Sequence, residues 1–252
     1  MNQRISFTVL HHPFLYWDQP ETQAAMLEVI DIKRRGFGKY YDAHRVLPLD
    51  TYDWIGTHII TFTEIDGMRR PIMSYKFIEK ATCEQYGLPF NGLALFNSAS
   101  DAHKRSAEVI IESASRRGMS IGYTSSWTVD PDFRVNPGSH ELLTELSVAS
   151  HVLHTKTFRV NESLIGGSVK AKAPLTLQLI GYKRLRDVRT GQELPSFSFP
   201  PLAGDPTLAL HIDSVPPQAE EWAQKYSNAW EKRLEIGHYR PFPKPVDAKR
   251  AA

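Results

Sequence analysis

Between Trp127 and Ser139 the chain passes from a β-rich segment through Asp130-Pro131-Asp132-Phe133-Arg134 and Val135-Asn136-Pro137-Gly138 into a helical pattern. The first amides of a helix have no intrahelical partner, and the peptide dipoles add partial positive charge there. Such a junction can hold a phosphate-bearing group; the plain alternative is a strand–loop–helix connection. Asp50 and Asp53, three residues apart, read from residue types alone as a capped turn with two carboxylates. Lys156, Arg159, Lys170 and Lys172 flank Gly166-Gly167 and can meet a phosphate or an acidic partner, or form a solvated face. Cys83 would need a base to act as a nucleophile, and Glu84 is its only adjacent carboxylate, so it reads as a small buried side chain. The 10 histidines lack compact metal-ligand spacing. His151 and His154 can share a helix face, but no third ligand accompanies them, so no metal is expected. There is no G-x-S-x-G elbow.

Elements must position these groups. Alternation at Ile5, Phe7 and Val9 predicts a strand over 1–10. Met26, Leu27, Ile30 and Ile32 predict a helix over 21–43, with Gly36 and Gly38 weakening or breaking its end. Two strands, 55–65 and 69–79, flank the hairpin signal Asp66-Gly67. A helix over 101–117, capped by Asp101 and closed by Gly118, leads to a strand over 119–130. Ser139 is the expected N-cap of a helix over 139–153. A strand at 163–169, a helix at 173–182 with Pro174 in its first turn, and strands at 183–189 and 206–213 follow. The last helix, 216–234, carries Trp222, Tyr226 and Trp230 at fourfold spacing, read as a stripe docked on the domain. A Pro-rich stretch begins at Pro241. The expected division is one domain over 1–213, then a C-terminal helix and tail over 214–252.

The chain has 252 residues, 41% of them hydrophobic, enough for one sizeable core. A formal net charge of +2 gives no reason to expect nucleic-acid binding. One cysteine excludes an internal disulfide and suits a reducing, cytoplasmic setting. The N-terminus lacks a signal-peptide h-region, and no apolar run approaches the roughly 18 residues of a membrane span.

The order helix, hairpin, helix, strand, helix, strand, helix, strands over about 22–213 resembles the GNAT-like (Gcn5-related N-acetyltransferase-like) fold. That implies an α/β (α+β) mixed central sheet flanked by helices. In that family a central strand ends in a V-x-P-x-x-R-like segment, and a loop of pattern R/Q-x-x-G-x-G/A leads into a helix. Trp127-Thr128-Val129-Asp130-Pro131-Asp132-Phe133-Arg134 and Val135-Asn136-Pro137-Gly138-Ser139 are similar, with Pro137 where the first glycine belongs and one amide fewer for a phosphate. Arg34, Phe37, Tyr40 and then Asp50-Thr51-Tyr52-Asp53 before the hairpin look like an outlying subgroup, the acyl-homoserine-lactone synthases and long-chain N-acyl amino acid synthases. Pro48 stands where that subgroup's leading Glu belongs. Leu177 stands where many members carry a tyrosine four residues before Gly181.

The resemblance implies aminolysis of a thioester, with acyl-CoA or acyl-ACP as co-substrate, an acyl carrier protein as a partner and a small amine or amino acid as acceptor. Such a reaction needs a neutral amine, a donor to the carbonyl oxygen and a proton for the thiolate. It implies Asp50 and Asp53 on the acceptor's ammonium group or taking its proton through water, and Arg34 on an acceptor carboxylate. A bulged stretch, Ser125 to Thr128 beside Trp127, offers an N–H to the carbonyl. Tyr182 or Tyr123 stands in for the missing acid. The resemblance also implies that Val129, Arg134, Asn136, Gly138, Ser139 and Lys170 hold the phosphopantetheine arm. The Phe197–Leu202 run lines an acyl tunnel or packs as a loop. Asp53→Asn is expected to abolish product with the fold intact. Two other readings stay open: a conventional acetyl-CoA-dependent acetyltransferase, and a non-catalytic binding or regulatory module of the same fold.

Overall fold

The computed structural model describes residues 4–42 and 49–239. Pro48, His44 and the Pro-rich stretch from Pro241 lie outside the described residues. In chain order the elements are β1 (Ile5–His11), α1 (Pro20–Gly38), α2 (Thr51–Ile55), β2 (Thr57–Ile65), β3 (Met68–Glu79), α3 (Lys80–Gln85), α4 (Asn91–Ala94), α5 (Asp101–Arg116), β4 (Ile121–Val129), α6 (Pro131–Arg134), α7 (Ser139–Thr157), β5 (Glu162–Ser168), α8 (Ala173–Ile180), β6 (Lys183–Arg184), β7 (Phe197–Phe199), β8 (Asp205–Ile212), α9 (Pro217–Glu231) and β9 (Leu234–Ile236). The strands form one mixed sheet in the order β6-β8-β5-β4-β3-β2-β1-β9, with β7 on β8. The β4–β5 and β1–β9 pairs are parallel; the rest are antiparallel.

Strand alternation sorts the side chains onto two faces. Phe7, Val9, Ile59, Tyr75 and Phe77 pack under α7 and α9, and Ile165, Leu210 and Ile212 extend that layer under α8. On the opposite face Leu10, Ile60 and Phe62 meet Met26 and Val29 of α1, while Ile78, Tyr123 and Leu164 meet Ala107 and Ile111 of α5. Tyr226 and Trp230 are buried in the α7–α9 layer, so α9 docks through the spaced aromatic stripe.

Several sequence expectations are corrected. Helix α1 ends at Gly38, short of the expected 43, but runs through Gly36: a Cβ there would lie 2.2 Å from Thr128 Cγ2, so the missing side chain lets α1 touch β4. Gly138, at φ +75°, takes the N-cap position of α7, and Ser139 falls in the first turn with its hydroxyl donating to the Arg134 and Asn136 carbonyls. Ser100, not Asp101, precedes α5, and its hydroxyl meets His103 Nδ1. The strand over 183–189 shortens to Lys183–Arg184, because the chain turns back between Asp187 and Gly191. The Asp66-Gly67 hairpin and the positive φ of Gly118 follow the reading. Phe197 is core, 5.2 Å from the His103 ring and 6.2 Å from Phe96, within a short strand that pairs with β8. Lys156 lies in the last turn of α7 and Arg159 just beyond it, whereas Lys170 and Lys172 follow β5; the length of β5, about 20 Å, separates the two pairs, so they form no single patch.

Candidate active site

The site starts from a break in the sheet. β4 and β5 pair from Ile121 with Glu162 to Thr124 with Ile165, and there the described pairing stops. β4 runs on to Val129 beside β3, and β5 runs on to Ser168 beside β8. Two strand edges thus part from Thr124 and Ile165 onward, and such edges carry main-chain donors and acceptors open to a third chain. On β4 the register with β3 slips: Ser74 faces Thr128 and Lys76 faces Ser125, leaving Ser126 and Trp127 opposite Tyr75 alone. Ser126 at φ +54° makes this a β-bulge, which re-aims the strand at the mouth of the opening. The Ser125 hydroxyl is buried there without a hydrogen-bond partner.

The face covered by α1 and α5 carries charge. Lys76 lies opposite Ser125 on one side and His58 on the other, so all three share this face. Lys76 Nζ lies 2.7 Å from Asp50 Oδ1 and 3.1 Å from Asp53 Oδ2, and Lys33 Nζ from α1 lies 2.8 Å from Asp53 Oδ1. Asp50 and Asp53 form a reciprocal capping box on α2, each side chain accepting the other's amide. Lys33, Lys76 and Asp53 are buried, whereas the Asp50 side chain is 49% exposed. Burial alone would raise the Asp53 carboxyl, but Lys76 and Lys33 overcome it and hold it well below the carboxylate range. Burial pulls Lys33 below an ordinary lysine, partly offset by Asp53. Burial also pushes His58 down to about 4, which keeps it neutral with Nε2 on the Asp53 carbonyl. A half-open carboxylate braced this way beside a bulge can bind an ammonium group or take a proton through water.

The face covered by α7 and α8 is aromatic. Trp127 stacks on Tyr75 at 4.7 Å and on His151 at 5.8 Å. The buried Tyr182 hydroxyl lies 3.2 Å from Thr124 Oγ1 and 3.3 Å from His151 Nε2. Leu177 is buried core in α8.

The end of α1 spans the opening at its outer mouth. Arg134 Nη1 donates to the Tyr40 hydroxyl, and Lys170 Nζ donates to the Tyr40 carbonyl. Tyr41 donates to Asp205 Oδ2 at 2.9 Å and lies 2.9 Å from Ser168 Oγ. Burial pushes this phenol up to about 12.

Of the residues singled out from sequence, Trp127 is part of the bulge, Asp50 and Asp53 hold Lys76, the cross-strand neighbour of Ser125, and Tyr182 meets Thr124 just before the bulge. Arg134, Lys170 and Val129 lie around the mouth, and Asn136 and Gly138 are exposed on the loop before α7. Ser139 is turned inward: its amide donates to Asn136 and its hydroxyl is spent on two carbonyls. Arg34 is not brought to the carboxylates; it is 69% exposed, with Asp31 at 3.5 Å. Its neighbours do the anchoring, Lys33 to Asp53 and Arg35 to Asp130. The phase of the α1 stripe, Met26, Val29, Lys33 and Gly36, selects Lys33. The alternation Ser74, Lys76, Ile78 likewise marks Lys76 as inward. Among the described residues no three His, Cys, Asp or Glu side chains converge on a possible metal position, and no helix is long and apolar enough to cross a membrane.

No family model matches the chain, and no curated protein sequence does either. The fold is similar to solved structures at low identity. FeeM, an N-acyl amino acid synthase from uncultured soil microbes, is 13% identical at TM-score 0.48, covering 88% of this chain and 94% of that one. The acyl-homoserine-lactone synthase LasI is 10% identical at TM-score 0.47, covering 95% and 99%. BjaI, a CoA-dependent acyl-homoserine-lactone synthase, is 11% identical at TM-score 0.49, covering 95% and 96%.

Proposed function

We propose that this chain is an N-acyltransferase that moves an acyl group from a phosphopantetheine thioester, carried by CoA or by an acyl carrier protein, to a small amine or amino acid. The observation that carries this reading is the parting of β4 and β5 after Thr124 and Ile165, with a bulge on one edge and a braced carboxylate beside it. The pantetheine arm contains two amides and no charge along its middle. Two facing strand edges match that chemistry, since each edge can exchange main-chain hydrogen bonds with such an arm.

In this reading the thioester carbonyl lies at the bulge and takes a main-chain N–H from the Ser125–Thr128 stretch. Asp50, held by Lys76, receives the acceptor's ammonium group and takes its proton through water. Asp53 braces Lys33 and Lys76 from within. Arg134 and Lys170 meet the phosphate at the mouth, assisted by the first free amides of α7 beyond Ser139. Pro137, with no N–H, leaves this cradle one donor short, the feature that favours a non-catalytic module.

The test is incubation of the purified chain with acyl-CoA and acyl carrier protein thioesters of several chain lengths and a panel of amines, read by mass spectrometry. An N-acyl product that requires the protein and falls by 10²-fold or more, roughly, on Asp50→Ala supports the reading. Thioester binding by calorimetry with no product from any amine favours the inert module, and turnover of acetyl-CoA alone favours a conventional acetyltransferase.

A further inference from the structure

Two neighbouring strand edges pair with each other unless something holds them apart, because each carries main-chain donors and acceptors. β4 and β5 are in that position beyond Thr124 and Ile165. To admit a third chain the edges must stand two strand spacings apart, roughly 9–10 Å. The bulge at Ser126 turns one edge away. The end of α1 supplies a second spacer. Gly36 seats the helix against Thr128 and the Val129 carbonyl of β4. The turn continues past Gly38, with the Tyr40 and Tyr41 amides both donating to the Phe37 carbonyl at 2.9 Å. Five residues at helical rise advance about 7–8 Å from Gly36, and the Tyr41 side chain carries the span to the other edge. There its phenol donates to Asp205 Oδ2 at 2.9 Å, an oxygen that also accepts from Ser168 Oγ. The Ala171 amide donates to Ser168 Oγ at 3.0 Å. Ser168 ends β5, Asp205 opens β8, and the ladder between those strands runs out to Ser168 with Thr207. Tyr41, Ser168 and Asp205 are all buried, so this tie is shielded from water, unlike the exposed bond from Lys170 to the Tyr40 carbonyl.

We propose that Tyr41 is a positioning residue that fixes the distance between the parted edges of β4 and β5 and so sets the affinity for the pantetheine arm. This rests on the acyl-transfer reading above, in which Tyr41 touches no reacting atom. Untied from Asp205 and Ser168, α1 keeps its seat on β4 through Gly36, but the β5–β8 ladder is free to close on β4 and pair along the edges that the arm would use. That closed pairing competes with the arm, and the apparent Kd rises as the inverse of the open fraction. Once bound, the arm bridges both edges itself, so the chemical step no longer depends on the tie. Burial pushes the Tyr41 phenol up to about 12, so it remains the donor in this contact at ordinary pH.

The test is calorimetry of a stable thioether analogue of acyl-CoA with the full chain, its folding checked by circular dichroism at the assay temperature. Tyr41→Phe keeps the ring and removes the tie; it should raise Kd about 10-fold, the value for an open fraction of about one-tenth. Asp205→Ala unties the same contact from β8 and should raise Kd by a similar factor, and the double variant should go no further, because both substitutions act on one contact. In turnover, KM for acyl-CoA should rise by the same factor with kcat within about 2-fold of wild type, whereas a merely structural loss lowers kcat with the folded fraction and leaves KM unchanged. An unchanged Kd in both single variants, additive penalties in the double variant, or a fall in kcat at constant KM would overturn the proposal. A wild-type chain that neither binds the analogue nor forms product would overturn the acyl-transfer reading itself; binding that is equally tight in wild type and variants overturns this assignment alone.

Discussion

Replacing Asp53 by asparagine removes the one fully buried negative charge between Lys33 and Lys76, 2.8 and 3.1 Å away. Asp50 remains, but it is half exposed and reaches only Lys76. Breaking a buried pair by deleting one partner costs about 3–5 kcal/mol, because the other charge stays buried without compensation. For a chain of this size that lowers Tm by about 6–20 °C. The effect carries a pH signature. The folded Asp53 carboxyl sits below its unfolded value of about 3.9, so its contribution is fully present above that pH and is lost as pH falls further. Urea unfolding of wild type and Asp53→Asn should therefore differ by a constant amount above about pH 5, with the gap closing progressively only below about pH 4. The assay is circular dichroism at several pH values. A variant melting within about 2 °C of wild type at neutral pH, or a gap that already narrows between about pH 7 and pH 5, would refute the reasoning. Loss of product in Asp53→Asn therefore cannot count as loss of a catalytic group with the fold intact. Asp50→Asn, at a half-open position, is the substitution that separates chemistry from folding.

Other outcomes follow from the same contacts. Gly36→Val should force α1 off β4, since its Cβ would sit 2.2 Å from Thr128 Cγ2 and 2.9 Å from the Val129 carbonyl; a loss of about 1–3 kcal/mol is expected in urea unfolding. Tyr41→Phe leaves Asp205 and Ser168 without their phenol partner and should cost about 1–3 kcal/mol, read the same way. Trp230→Ala should cost about 3–5 kcal/mol by emptying the space between β1 and α7, where the indole packs on Phe7 and donates to Thr157. Cys83, whose thiol burial pushes up to about 11, should resist alkylation in the native state at pH 8 and react only when the chain is unfolded.

The two faces of the sheet were legible because alternation and helical stripes report burial directly. Ile5, Phe7 and Val9, the Asp66-Gly67 turn and the Trp222–Trp230 spacing each led to an element at nearly the right place. The carboxylate pair was legible for the same kind of reason: Asp50 and Asp53 stand at the spacing of a capping box. What braces that pair was not read, although the signal was present. Forked donors point to Arg34, but the helical phase turns Lys33 inward and leaves Arg34 in solvent. The mouth is legible only in part: Arg134 and Lys170 stand out in the sequence, but the contacts that join them do not. Tyr40 meets Arg134 and Lys170, and Tyr41 meets Ser168 and Asp205, across about 90 to 160 residues of chain. Only the crossing of α1 over β4, permitted by a bare Gly36, brings them together. The short helices α2, α3 and α4 escaped for a different reason: at four to six residues they hold too few turns to build a periodic stripe.

Amide hydrogen exchange with and without a stable thioether analogue of acyl-CoA addresses the opening between β4 and β5 most directly. Slowed exchange in Ser125–Val129 and Gly166–Ser168, with the paired stretch Ile121–Thr124 unchanged, is the predicted result. Unchanged exchange in both stretches at saturating analogue, or slowing confined to residues remote from this opening, would contradict the account.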